Sequence, residues 1–129
     1  MIKSITTNMM VTNVKESVSF YCDTLGFSLI NSVASHEGYL NFAILSKDDQ
    51  LIMLQQKDNF IAEYPILNTE KVSPSISLYI VVDNFDDMYN LVKDKALVLI
   101  DIHTTFYGSK EFAIADNNGY VITIVEEKI

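Results

Sequence analysis

The stretch FAIADNNGYVITIVEEK, Phe112 to Lys128, decides the fold. Two runs alternate apolar with small or polar residues, as strands with one buried face do. Asp116-Asn117-Asn118-Gly119 between them carries the residue types that close a tight turn. A β-hairpin is expected, with Ile122 and Ile124 on one face of its second strand and Thr123 on the other.

Upstream of the hairpin, SISLYIVVDNFDDMYNLVKDKALVLI supplies a strand, an N-cap candidate at Asp83 or Asn84, a helix, and a further strand near Ala96 to Ile102. The second half therefore reads βαβββ. The first half has the same order. Residues 2–11 suit a strand, Asn13 offers an N-cap, and VKESVSFYCDTLGF places Val14, Val18, Tyr21, Cys22 and Leu25 near helical spacing, with Gly26 as the stop. Three strand candidates follow, FSLINSVAS, GYLNFAILS and QLIMLQQ, separated by turns at His36-Glu37-Gly38 and Lys47-Asp48-Asp49. Phe20, Tyr21 and Phe27 are assigned to the core.

Register supports a repeat. Sliding the chain by 71 positions lays Val11 on Val82, Asn13 on Asn84, Phe20 on Leu91 and Leu29 on Ile100; sliding by 70 lays Met53 on Thr123 and Gln55 on Val125. Module one is expected at about 1–57 and module two at about 76–129. Between them periodicity fades and Pro65 and Pro74 appear, so about 58–75 reads as a connecting arm.

With 129 residues, 49% hydrophobic and 20% charged, the chain suits one globular domain with a real core. The net charge of −8, with no Lys/Arg cluster, repels phosphate backbones and anionic lipid, so neither nucleic acid nor a membrane is an expected partner. Cys22 is the only cysteine, which excludes an intrachain disulfide and fits a reducing cytoplasm. The segment MIKSITTNMMVTNV is too polar for a signal peptide, so a cytoplasmic location is expected. Four glycines build no phosphate-cradling loop, and no nucleophile elbow, CxxC pair or HExxH helix occurs.

MMVTNVKESVSFYCDTLGFSLI and YGSKEFAIADNNGYVITIVEE resemble the opening strand-helix ("FY…LGF") and the closing hairpin ("G…F…DP.GN…E") of the vicinal oxygen chelate superfamily. That family includes glyoxalase I, extradiol dioxygenases and bleomycin-resistance proteins. Asn117 stands where Pro is usual, which affects only the turn. The resemblance covers essentially the whole chain. It implies an α+β fold of two βαβββ modules whose sheets curl around an open cleft with helices outside, and a homodimer.

The family's metal sites take four inward-facing side chains, typically His and Glu, one on the first and one on the last strand of each module. Carried over, these positions are Thr6, Met53, Ser77 and Thr123. None can hold a transition metal against water, and one-residue slips bring only Ile5, Thr7, Ile52, Leu54, Ile76, Leu78, Ile122 and Ile124. No metal and no other cofactor is expected.

Alternation sorts the faces. Ile52, Leu54, Ile76, Leu78, Ile80, Ile122 and Ile124 belong against helices. Thr6, Asn8, Met10, Met53, Gln55, Ser77, Tyr79 and Thr123 mix hydroxyls, amides, thioethers and a ring. They suit either the wall of a small-molecule site or a solvated or dimer-forming sheet face. Tyr39, Phe42, Phe60, Tyr64, Phe106 and Tyr107 offer rings to a planar ligand or to packing. His36 reads as a surface turn residue. His103, at a strand end, and Tyr107 are the only acid-base candidates.

The expected function is metal-independent binding of a small organic compound, sequestering a toxic or antibiotic molecule that is cationic or aromatic. The alternatives are a glyoxalase- or dioxygenase-like enzyme acting through the same cleft, and an interaction module whose cleft is vestigial.

Overall fold

Asn13 starts the first helix as its residue type dictates. Its side chain accepts a hydrogen bond from the Glu16 N–H at 3.0 Å, and Gly26 ends the helix in left-handed backbone at φ 77. In the computed structural model, which describes residues 1–128, this helix, α1 (Val14–Leu25), follows β1 (Thr7–Val11). It leads into β2 (Ser28–Ala34), β3 (Leu40–Lys47) and β4 (Gln50–Gln56). After α2 (Lys57–Glu63) and a 3-10 turn at Pro65–Leu67 come β5 (Ser77–Val82), α3 (Phe85–Val92), β6 (Leu97–Thr104), β7 (Lys110–Ala115) and β8 (Val121–Glu126).

Two compact units result, one of Met1–Ser73 and one from Pro74 onward. The first holds a four-stranded sheet in the order β1-β4-β3-β2, and the second a sheet in the order β5-β8-β7-β6. In each the outer first strand runs parallel to the last, and the remaining pairs are antiparallel. These are two βαβββ modules of mixed sheet, the α+β class expected from the sequence.

Two of the hairpins show most plainly the local chemistry their turns require. Asp48 and Asp49 sit at φ 47 and 64 between β3 and β4, the handedness of a two-residue turn that matches strand twist. Between β7 and β8, Asp116 Oδ1 accepts from the N–H groups of Asn118 and Tyr120 at 2.8 and 2.9 Å. Gly119 supplies the left-handed position at φ 93.

One face of each sheet is buried. In the first unit Met9, Val11, Ala43, Leu45, Ile52 and Leu54 pack with Val14, Tyr21 and Leu25 of α1. In the second, Phe112, Ile114, Ile122 and Ile124 lie with Phe85 and Val92 of α3, and Phe112 meets Phe85 and Tyr89 edge-on at 5.3 and 5.1 Å. Each Val, Leu, Ile, Phe or Met among them contributes about 1.5–3 kcal/mol by leaving water.

Four expectations need correction. Residues 2–6 precede the first strand, which begins at Thr7. Ile76 is not helix-covered: it is 45% exposed, because it lies in the segment before β5 and outside the sheet that α3 covers. Of the three aromatics assigned to the core only Tyr21 is fully buried; Phe20 and Phe27 are half-buried and flank it edge-on at 5.3 and 5.9 Å. Within the arm lies a helix, α2, whose N-cap is Gln56, accepting from the Asn59 N–H at 3.0 Å, and whose anchor is the buried Phe60. Two turns with a single anchor leave no periodicity to read. Among the described residues no helix is long and apolar enough to cross a membrane.

Candidate functional site

The second module's helix-free face follows from the ladder register. Tyr79 pairs with Thr123, Thr123 with Ala113, Val81 with Val125, Val125 with Glu111, and Glu111 with His103. Paired residues share a face, so Ser77, Tyr79, Thr123, Glu111 and His103 all project opposite α3. Most of this face is small or polar at its floor, where Ala113 and Ala115 are buried, and Tyr79 stands 58% exposed above it.

Glu111 is the unexpected member. It is 5% exposed, and its Oε2 accepts hydrogen bonds from the Tyr107 hydroxyl at 2.9 Å and the Tyr79 hydroxyl at 3.3 Å. Tyr79 reaches it diagonally across two strands, and Tyr107 reaches it from the β6–β7 turn, closed by Gly108 at φ 84. The bond to Glu111 holds the Tyr107 phenol above its ordinary dissociation range, and partial desolvation adds to the effect. His103 is half-buried and its Nδ1 lies 2.9 Å from the Asp101 carbonyl oxygen. A carbonyl only accepts, so Nδ1 carries the proton there, and the other ring nitrogen is available as an acceptor in the neutral ring.

In the first module the corresponding face carries Asn8 and Met10 on β1, Met53 and Gln55 on β4, and Phe42 on β3, in register as Asn8 with Met53 and Met10 with Gln55, Gln55 with Phe42. Here α2 folds onto Gln55, which is 6% exposed. Gln55 Nε2 donates to Asn59 Oδ1 at 2.8 Å and Glu63 Oε1 at 3.1 Å, and its Oε1 accepts from Asn8 Nδ2 at 2.9 Å. A carboxylate cannot donate, so Glu63 fixes the amide orientations along the chain. Asn8 Oδ1 is left buried and without a partner.

The remaining expected site residues are more scattered. Thr6 is half-buried just before β1. Ser77 is exposed at the start of β5, and Thr123 is half-buried in β8. Tyr39, 53% exposed, lies before β3 beside a shallow concavity of about 410 Å³ that Lys15 and Gln56 also line. A larger one, about 760 Å³, opens at the start of α3 among Asp83, Asp86, Glu126 and Glu127, and holds none of the expected residues. Phe106 is fully exposed and edge-on to Tyr107 at 5.0 Å. Phe60 and Tyr64 pair at 5.9 Å in and after α2, and His36 lies exposed in the β2–β3 turn. Cys22 is half-buried, and burial followed by the Asp23 charge raises its thiol's dissociation range, which suits an inert side chain.

The donor set does not fit the family's metal. Thr6, Met53, Ser77 and Thr123 offer hydroxyls and a thioether, and among the described residues no group of three or more His, Cys, Asp or Glu converges to hold an ion.

Sequence reasoning missed Glu111, Asn59 and Glu63. The alternation of Glu111, Ala113 and Ala115 against Phe112 and Ile114 signals that a carboxylate shares a face with small residues. Asn59 and Glu63 give no signal, because their helix is two turns long with one buried anchor, Phe60.

The sequence profile of the Glyoxalase/Bleomycin resistance protein/Dioxygenase superfamily matches residues 3–124. No protein of curated function matches the chain. Among solved structures, a protein of unknown function from Agrobacterium tumefaciens has a TM-score of 0.81 at 14% identity, over 98% of this chain and 95% of that one. TioX from Micromonospora sp. ML1 scores 0.76 at 13% identity, over 98% and 100%. A glyoxalase/bleomycin resistance protein/dioxygenase family enzyme from Burkholderia phytofirmans scores 0.77 at 18% identity, over 94% and 95%. These likenesses concern the fold.

Proposed function

The chain belongs to the Glyoxalase/Bleomycin resistance protein/Dioxygenase superfamily, and on that premise we propose that it binds a small organic molecule without a metal, sequestering a toxic or antibiotic compound on the helix-free sheet face of the second module. One observation carries this reading: a buried carboxylate, Glu111, faces away from the helix and is framed by two exposed tyrosine rings. Soft surface with few, fixed polar groups is what small-ligand sites present. The family metal has no fitting donors here, so recognition falls to these side chains. The test is a compound screen by thermal shift on wild type and on Glu111→Ala. Compounds that raise the wild-type midpoint and leave the variant's unchanged support the reading, and a library that moves neither opposes it.

A second reading is catalysis, glyoxalase- or dioxygenase-like, in the same place. It is favoured by the Tyr107 hydroxyl donating to Glu111 and by the backbone register that sets His103 opposite Glu111 on the same face, which gathers three acid-base groups in one place. Loss of turnover with retained folding in His103→Ala is the expected sign; an unchanged rate removes His103.

The protein is proposed to act as a homodimer in the cytoplasm. The edge strands β2 and β6 expose Leu29, Ile30 and Val33, and Leu97, Leu99 and Ile100, surface that a second copy would cover. Light scattering should give twice the chain mass; a monomer at micromolar concentration contradicts it.

A further inference from the structure

The carboxylate on the second module's helix-free face has no cation of its own. Glu111 forms no ion pair among the described residues, although it is 5% exposed. Its neighbour Lys110 projects to the opposite side of β7, where it pairs with Asp86 at 3.6 Å and Glu126 at 3.9 Å and lies 5.1 Å from the centre of the Phe85 ring. The two phenols both donate to Oε2, at 2.9 and 3.3 Å. Oε1 has no partner among the described residues, and it is not sealed from solvent as the unpartnered Asn8 Oδ1 is. One carboxylate oxygen is thus saturated and the other is presented.

Phenol hydrogens spread the charge of the carboxylate but do not neutralise it, and a mostly buried charge is costly until it is paired. A neutral donor would satisfy the geometry of Oε1 and leave the charge. A protonated amine satisfies both. The rings reinforce that choice, because Tyr79 and Tyr107 are 58% and 53% exposed beside the carboxylate and a tyrosine face attracts a cation. Over the chain the net charge of −8 acts in the same direction.

We propose that Glu111 Oε1 receives a protonated amine of the bound molecule, with Tyr79 and Tyr107 orienting the carboxylate and flanking the ammonium group. The inference rests on the binding reading above and assigns that site its ligand class: a small organic amine bearing at least one N–H. A quaternary ammonium, with charge and no N–H, is the weaker ligand, and an uncharged molecule of the same shape is weaker again.

The experiment is an NMR titration of the isotopically labelled full chain with 2-phenylethylammonium and, separately, with 2-phenylethanol, which has the same ring and chain length and no charge. The ammonium should produce saturable shifts at the amides of Tyr79, Tyr107, Glu111 and Thr123 with an affinity about tenfold tighter than the alcohol. The preference should shrink as salt is raised, and Glu111→Gln, which preserves shape and an acceptor for both phenols, should abolish it. Equal responses to the two probes remove the amine and leave small-molecule binding in place. An ammonium preference that survives in Glu111→Gln moves the cation site elsewhere and overturns the assignment to Glu111. Absence of any saturable response overturns the inference too, and the thermal-shift screen then decides the binding reading on its own.

Discussion

The Tyr107 hydroxyl donates to Glu111 Oε2 across 2.9 Å, joining the β6–β7 turn to the strand it feeds. That single bond keeps the phenol protonated beyond its usual range, with desolvation as a smaller cause and a hydrogen bond with Thr105 acting against both. The group is worth most to the fold when neutral. Its contribution is complete below the ordinary tyrosine value of about 10 and is lost as pH rises through the higher folded value. In Glu111→Gln the phenolate absorbance of one tyrosine should appear at lower pH than in wild type. Identical alkaline titrations in the two proteins would mean that the bond does not form.

A second prediction concerns the core under α3. Phe112 is fully buried and meets Phe85 and Tyr89 edge-on. Phe112→Ala removes that ring and leaves a cavity, and should cost about 3–5 kcal/mol in urea unfolding. A loss below about 1 kcal/mol would place the ring outside the packed layer.

The Asn8–Gln55–Glu63 relay gives a third. Gln55→Leu removes both the acceptor for Asn8 Nδ2 and the donor for Asn59 and Glu63, in a place where Asn8 Oδ1 already lacks a partner. The expected cost is about 1–3 kcal/mol, against about 0.5 or less for Glu63→Gln, which keeps an acceptor on an exposed residue. Equal costs would show that the buried end of the relay carries no more than the exposed end.

The parts legible in the sequence were those set by local chemistry. Asn13 and Gly26 mark the ends of α1, Asp116 and Gly119 close the last hairpin, and Ile122 and Ile124 alternate with Thr123 on opposite faces. Helix α2 was not legible, since its cap is a glutamine and its only anchor is Phe60. Glu111 was present in EFAIAD from the start, but its partners are 32 residues away at Tyr79 and 4 away across a turn at Tyr107, and only strand register brings them together. That His103 and Glu111 share a face was not legible for the same reason, because their pairing is set by a register that shifts between Ile100 and His103.

Chelation provides a fourth prediction. Hydroxyls at Thr6, Ser77 and Thr123 with the Met53 thioether do not compete with water for a divalent ion. Prolonged treatment with a chelator should leave the melting midpoint unchanged. A fall of several degrees that zinc or manganese restores would mean that donors other than these four side chains hold a metal.

The most direct test of the central claim is a native mass spectrum of the protein purified gently without chelator, taken for wild type and for Glu111→Gln, beside metal analysis of the same samples. An organic molecule of small mass should be retained on wild type and lost from the variant, with no stoichiometric metal on either. One metal ion per chain, with no organic adduct in either protein, would contradict it.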